Sequence, residues 1–308
     1  MSWLKTILDG AKKGVIACGR LMMILAPVYT GMAVLKYLDV LHVVAEWCRP
    51  AMKYFGLPGD AAFALVLGNF LNLYAAMGVL AAIKMTAGQM TVLSLMLLLS
   101  HSQILESSVF LQIRTRWQIL WAIRLAVSLL VGYLLHFLLA PVVGAESASS
   151  VVSTRAATLG LAAKDWALGL WGLVWKMLAI LAAIFIVLEV IKRLKVLEKS
   201  LKAVNRFTRF MGYDELSGLP LLAGIIFGIV FGAGVITGSV KEHRLDKKQV
   251  LLVSVFLALC HGIVEDTGLM ILLGANIFWI TIPRLVLAVP TVWVVNRLYN
   301  PRPQTDNS

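Results

Sequence analysis

The sequence predicts an all-α integral membrane protein with two inverted-topology repeats, each with three spans, a re-entrant helical hairpin and an amphipathic interfacial helix. Three observations carry this expectation: composition, a polar pattern that occurs twice, and the placement of Lys and Arg. Of the 308 residues, 60% are hydrophobic and 14% charged, and the mean hydropathy is +0.86. That is more apolar surface than a soluble domain buries, so the first expected partner is the lipid bilayer. A net charge of +12 would suggest nucleic acid in a soluble chain. In this chain it reads as cytoplasmic Lys and Arg fixing topology, and no nucleic-acid partner is expected.

The polar pattern is a duplication. Gln89, Ser94, His101, Glu106 and Arg124 return in order as Gln249, Ser254, His261, Asp266 and Arg284, each 160 residues later with no gap. Apolar matches in such a background mean little, but five polar positions in constant register indicate an internal repeat. Gly56-Leu57-Pro58 and Gly218-Leu219-Pro220 stand upstream in the two halves. The expected division is a first repeat over 1–140, a linker over 141–165 and a second repeat over 166–308.

In chain order, Met1 to Lys13 reads as a basic leader. Apolar segments follow at about 14–38, 60–83, 90–112, 117–140, 166–191, 217–240, 249–274 and 277–298, each near the length of about 20 residues that a spanning helix needs. The first run is too long for a signal-peptide core and reads as a span. Asp39 to Phe55 mixes apolar and polar residues as an interfacial helix would. Lys192 to Met211 holds the same place in the second half, with seven Lys and Arg and with Leu194, Leu197, Leu201, Val204 and Phe207 at helical spacing. Pro141 to Lys164, rich in Ala, Ser and Val, joins the halves. Trp117, Trp121, Trp166, Trp171 and Trp175 read as interface anchors near segment ends. Asp60 and Asp214–Glu215 read as helix caps.

Charge selects the topology. If all eight segments crossed, either the basic run 192–209 or the cluster Lys241, Arg244, Lys247 and Lys248 would face outward, against the positive-inside rule. If 60–83 and 217–240 enter and leave on one side, both join Lys5, Lys12, Lys13, Arg114, Arg116, Arg297 and Arg302 inside. Three spans per half then force the copies to be inverted, with both termini cytoplasmic. Gly68-Asn69 and the Gly-rich run Gly228 to Gly238 are the expected hairpin tips, where irregular backbone lines a cavity.

The chemistry gathers at mid-membrane. His101 and His261 sit near the centres of their segments, where ionisable groups face a cavity or one another. Glu106 and Asp266 follow five residues later, about 140° round an ideal helix, so they share the histidines' side only if the helix is locally unwound. Glu265, four residues after His261, would share its face directly, whereas the first half has Leu105 there. The donor set His101, Glu106, His261 and Asp266 suits a divalent transition metal if the solute is a metal, and the histidines could equally carry protons. A polar organic solute would also find Ser102, Gln103, Asn69, Asn72 and Thr267. Arg124 and Arg284 either neutralise the carboxylates or capture an anionic group. Cys18, Cys48 and Cys260 have no paired spacing. There is no phosphate loop, Ser-His-Asp order or HExxH, so neither an enzyme nor a cofactor is expected.

Gly56-Leu57-Pro58 with Ala61, Ala62 and Gly68, followed by Gln89, Leu99-Ser100-His101-Ser102 and Glu106, resembles the Gate or "nucleoside recognition" domain. That domain occurs in concentrative nucleoside transporters, in the bacterial ferrous-iron permease and in spore-maturation-type membrane proteins. The resemblance covers 56–125 and, more weakly, 218–285. It implies a stand-alone bacterial Gate-type protein of the inner (plasma) membrane. The expected function is secondary-transporter-like: movement of a nucleoside-like solute or a divalent cation through a midplane site between the repeats, with a homo-oligomer compatible with this plan. The alternative is a membrane scaffold or sensor whose basic helix docks a partner.

Overall fold

The computed structural model describes residues 3–113, 115–143, 158–229, 232–236 and 245–298. Every element among them is helical: α1 (Trp3–Tyr37), α2 (Val40–Lys53), α3 (Ala61–Phe70), α4 (Leu73–Ala82), α5 (Ala87–Ser100), α6 (Gln103–Gln112), α7 (Trp117–Val143), α8 (Leu159–Arg193), α9 (Val196–Thr208), α10 (Gly218–Phe227), α11 (Lys247–Leu259), α12 (Glu265–Leu272) and α13 (Ile277–Leu298). Arg114, Lys241, Arg244, Arg302, most of the linker and part of the run Gly228 to Gly238 lie outside the described residues.

Five stretches are long and apolar enough to cross a membrane: Trp3–Tyr37, Ala87–Gln112, Trp117–Leu139, Leu159–Arg193 and Ile277–Leu298. The expected span 249–274 is split into α11 and α12, neither long enough alone. The basic leader is not a separate segment, because helix α1 already begins at Trp3 and includes Lys5, Lys12 and Lys13. At its C-terminal end the linker is likewise helical from Leu159, where the Thr158 side chain accepts from the Leu161 N–H.

α1 and α8 have 35 residues each, about 50 Å at 1.5 Å per residue. They pack antiparallel with backbones nearly touching. A Cβ on Gly10 would fall 2.6 Å from Ile186 Cα, and one on Gly14 would fall 2.5 Å from Ala182 Cα. Small residues permit this approach where lipid supplies no hydrophobic drive between helices. Trp166 Nε1 donates to Thr30 Oγ1 at 3.0 Å near the other end.

The two broken helices are α5–α6 and α11–α12, whose longer halves α5 and α11 pack against α7, α13 and each other. Leu93, Leu95, Leu97, Leu98 and Leu99 are fully buried, as are Leu252, Val253, Val255 and Leu259. Their starts are set by local chemistry. Thr86 and Gln89 form a reciprocal capping box at α5, and Asp246 accepts from the Gln249 N–H at 2.7 Å at α11. Asp60 stands at the N-cap position of α3 but makes no side-chain cap bond, nor does Asp214 before its short 3-10 turn; Glu215 pairs with Arg209 instead.

Equivalent contacts recur in both halves, in two registers. Downstream of the caps the offset is 160. Upstream it is 156: Gln89 Nε2 donates to the Gly56 carbonyl at 3.1 Å and Gln249 Nε2 to the Gly212 carbonyl at 3.0 Å. Gly56 and Gly212 both have positive φ, 63° and 90°, which favours glycine. A Cβ there would strike His136 and Asn296 respectively. Gly212, and not Gly218-Leu219-Pro220, is therefore the counterpart of the first glycine motif; that second motif opens α10. The four-residue difference falls between Gly224 and Asp246, beyond the reach of a gap-free match.

α3 and α4, ten residues each, form a short helical pair. They turn at Leu71–Asn72 rather than at Gly68-Asn69, because Asn72 caps α4 by accepting from Ala75 N–H at 2.9 Å. In the second half α10 ends at Phe227, Gly228 follows with φ 88°, and residues 232–236 are again helical.

Candidate functional site

Both central helices break at their histidines, and the breaks meet. α5 ends at Ser100, His101 is extended, and Ser102 has φ 55°. α11 ends at Leu259, and Gly262 has φ 56°. Left-handed backbone stands at the same place in both copies. The ring centroids of His101 and His261 are 5.2 Å apart.

Breaking a helix frees carbonyls on one side and N–H groups on the other, and each orphan is costly when buried. The freed groups find partners in the same way at both breaks. Arg124 donates from Nε to the Leu99 carbonyl at 3.1 Å and from Nη2 to the His101 carbonyl at 2.8 Å. Arg284 does the same for Leu259 and His261. On the other side, Ser102 N–H donates to the Gly68 carbonyl at 2.7 Å and Gly262 N–H to the Gly224 carbonyl at 3.2 Å. The short helices thus supply the acceptors, and a guanidinium from the following span supplies the donors. Arg124 and Arg284 are both fully buried.

The break also corrects the helical spacing. Because His101 and Ser102 leave the helix, Glu106 swings to the histidine side, as the unwinding condition required. Its Oε1 lies 3.6 Å from both His101 Nε2 and His261 Nε2. Asp266 Oδ2 lies 3.9 Å and 3.8 Å from the same two nitrogens. Glu265 does not share the His261 face, since the residues between them are not helical; it turns away and accepts from Tyr74 Oη at 3.0 Å. Asp266 lies against Gly262, where a Cβ would sit 2.3 Å from Oδ2. No larger residue fits under that carboxylate.

Each histidine is oriented from behind. His101 Nδ1 lies 2.9 Å from the Leu97 carbonyl and His261 Nδ1 lies 2.7 Å from the Leu257 carbonyl. A carbonyl only accepts, so Nδ1 carries the proton and a neutral ring presents its Nε2 lone pair to the centre. Glu106 is held by Arg124 Nη1 at 2.9 Å and Nη2 at 3.1 Å. His101, Glu106 and His261 offer donor atoms within 4.8 Å of one another, all buried.

A tetrahedral centre with bonds of about 2.0–2.2 Å has ligand–ligand edges of about 3.3–3.6 Å. The four His–carboxylate separations reach or exceed the top of that range by up to a few tenths of an ångström. The compact donor set is therefore His101, Glu106 and His261, two imidazoles and a carboxylate of the kind that first-row divalent cations take, with Asp266 reaching the two histidine nitrogens but standing outside that set.

The remaining expected residues divide. Gln103 and Thr267 are buried with Gln103 Nε2 and Thr267 Oγ1 lacking hydrogen-bond partners. Ser102 forms the break. Asn69 donates to the Leu65 carbonyl, and Asn72 is used as a helix cap. Arg124 and Arg284 cap carbonyls. Sequence reasoning missed Tyr74 and the backbone acceptors of Leu97, Leu257, Gly68 and Gly224. A tyrosine in an otherwise apolar run was the only signal for the first; the others are backbone groups with no residue-type signature.

The uncharacterized membrane protein YvoD of Bacillus subtilis (strain 168) is 28% identical over 291 residues, covering 92% of each chain. No family model and no solved structure matches the chain. With its five long apolar helices, the chain is a multi-pass membrane protein similar to that relative.

Proposed function

We propose that the protein is a Gate-type, secondary-transporter-like permease of the bacterial inner membrane, and that its cargo is a divalent transition-metal ion. One observation carries the reading: four donor atoms, two from each repeat, converge where the two broken helices meet. The antiparallel packing of α1 on α8, equivalent helices at the 156 offset, supports inverted repeats with cytoplasmic termini. The ten-residue helices α3 and α4, too short to cross, support a re-entrant hairpin.

The charge balance suits passage rather than storage. Arg124 and Arg284 offset Glu106 and Asp266, so an entering cation is held by coordination with little surplus negative field. Binding strong enough to admit an ion and weak enough to release it is what conduction requires. A nucleoside-like solute finds buried unpartnered groups in Gln103 and Thr267, but the histidine rings are too close to receive a base between them.

A thermal-shift screen of the purified protein against Mn2+, Fe2+, Co2+, Zn2+ and a panel of nucleosides separates these cargos. A ligand at 100 times its Kd stabilises the folded state by about 2.7 kcal/mol. We expect the metals to raise the Tm and the nucleosides to leave it unchanged. A shift with nucleosides alone would reverse the assignment. No shift with either class would favour a scaffold or sensor.

A further inference from the structure

Away from this site, two basic residues stand exposed in the middle of the outer helix pair. Arg20 is the central residue of α1 and Lys176 the central residue of α8. They are counterparts at the 156 offset, which a 160 match conceals. The register that sets Gly10 against Ile186 and Gly14 against Ala182 also sets Arg20 level with Lys176. Both are exposed, and neither has a hydrogen bond or ion pair among the described residues.

Depth makes this unusual. Along α8 the nearest charged neighbours of Lys176 are Asp165 and Glu189, about 16 Å and 20 Å away at 1.5 Å per residue. Glu189 marks the cytoplasmic end, where it pairs with Lys13 at 2.7 Å. A four-carbon stem covers less than half of either distance, and Arg20 on the neighbouring helix is seven residues, about 10 Å, from Lys13, more than its own side chain spans. An ionisable group at that depth is costly without a partner. Trp171 and Trp175, 63% and 54% exposed, precede it on the same helix. They lie in the central part of α8. On the same outward face, a Cβ on Gly19 or Gly172 would meet nothing within 4 Å, leaving room for another helix to approach closely.

We propose that this face docks a transmembrane helix of a different membrane protein that carries an Asp or Glu at mid-span. Charge selects the occupant. Lipid phosphates do not reach this depth, and a second copy docking through the same face would oppose two cations with two more. A carboxylate between Arg20 and Lys176 pairs both and lets the partner pack over Gly19, Gly172 and the two tryptophans. The inference rests on the membrane-spanning reading but not on the metal site, from which the α1–α8 pair separates it.

The test uses the full chain in liposomes, donor-labelled, with an acceptor-labelled Leu/Ala transmembrane peptide bearing one central Asp and a matched peptide with Leu there. Energy transfer should report association of the Asp peptide about tenfold stronger than of the Leu peptide, the scale of a polar interhelical contact. The Arg20→Leu/Lys176→Leu variant should lose the difference. It removes unpaired charge from lipid and so should still insert and fold. An Arg20→Glu/Lys176→Glu variant should instead prefer a peptide with a central Lys. Equal association of the Asp and Leu peptides with the unaltered protein would overturn the proposal, as would an Asp preference that survives in the leucine variant. Disulfide cross-linking between copies of a Lys176→Cys variant would assign the face to self-association and overturn it too.

Discussion

Replacing both histidines, His101→Ala with His261→Ala, should lower divalent-metal affinity by at least about a hundredfold, since losing outer-shell partners alone costs about 10- to 100-fold. The double variant removes both nitrogen donors and leaves Glu106 and Asp266 with their oxygens. The fold should survive. The breaks are held by Arg124, Arg284, Gly68 and Gly224 through backbone groups, none of which needs an imidazole. Titration with Co2+, followed by its visible absorption, reads affinity and geometry together. The unaltered protein should give one site per chain with the intense bands of a tetrahedral centre, and the variant should give none. Single variants should retain weak binding, because three donors remain. Affinity should also fall as the solution is acidified, because protons compete for the same lone pairs.

Arg124→Ala should destabilise the fold more than Arg284→Ala or either histidine substitution. It strands the carbonyls of Leu99 and His101 and leaves Glu106 buried without its cation. Breaking a buried ion pair costs about 3–5 kcal/mol. Arg284→Ala strands the equivalent carbonyls of Leu259 and His261, but Arg284 makes no comparable ion pair among the described residues. Its cost should be smaller, about 1–3 kcal/mol for an unsatisfied buried acceptor. Unfolding in mixed SDS micelles should rank the two in that order. Arg124→Lys should recover little, because an ammonium cannot bond two carbonyls and a carboxylate in the fork geometry that the guanidinium spans. Equal effects of the two alanine variants would mean that the Glu106 pair contributes nothing to stability.

Much of this site is legible in the sequence because the polar residues carry their register with them. His101 and His261, with Glu106 and Asp266, are the only charged or titratable pairs that recur inside the two central segments, and membrane depth explains why they face each other. The need for unwinding is also readable, since a five-residue spacing does not share a helical face. What hides from sequence is the second register. The four additional residues between Gly224 and Asp246 shift every upstream equivalence, so the gap-free 160 offset carries Gly56 past Gly212 to Leu216, next to the look-alike Gly218-Leu219-Pro220. Lys176 likewise has no counterpart at the 160 offset; the packing of α1 on α8 supplies one. Glu265 misleads for a physical reason: four residues mean one face only while the backbone between them is helical. The pairing of Tyr74 with Glu265 joins residues 191 positions apart, and no local pattern announces such a contact. The roles of Arg124 and Arg284 as carbonyl caps depend on the broken backbone, which the sequence does not display.

Passage of an ion through the four-donor site is read out by divalent-cation uptake into liposomes containing the purified protein, with Co2+ or Mn2+ detected by quenching of an internal dye. The unaltered protein should give saturable uptake, and the His101→Ala/His261→Ala variant, inserted to the same level, should give only the leak of empty liposomes. Uptake that is absent from the unaltered protein, or that persists undiminished in the variant, would mean that these four donors do not carry an ion across the bilayer.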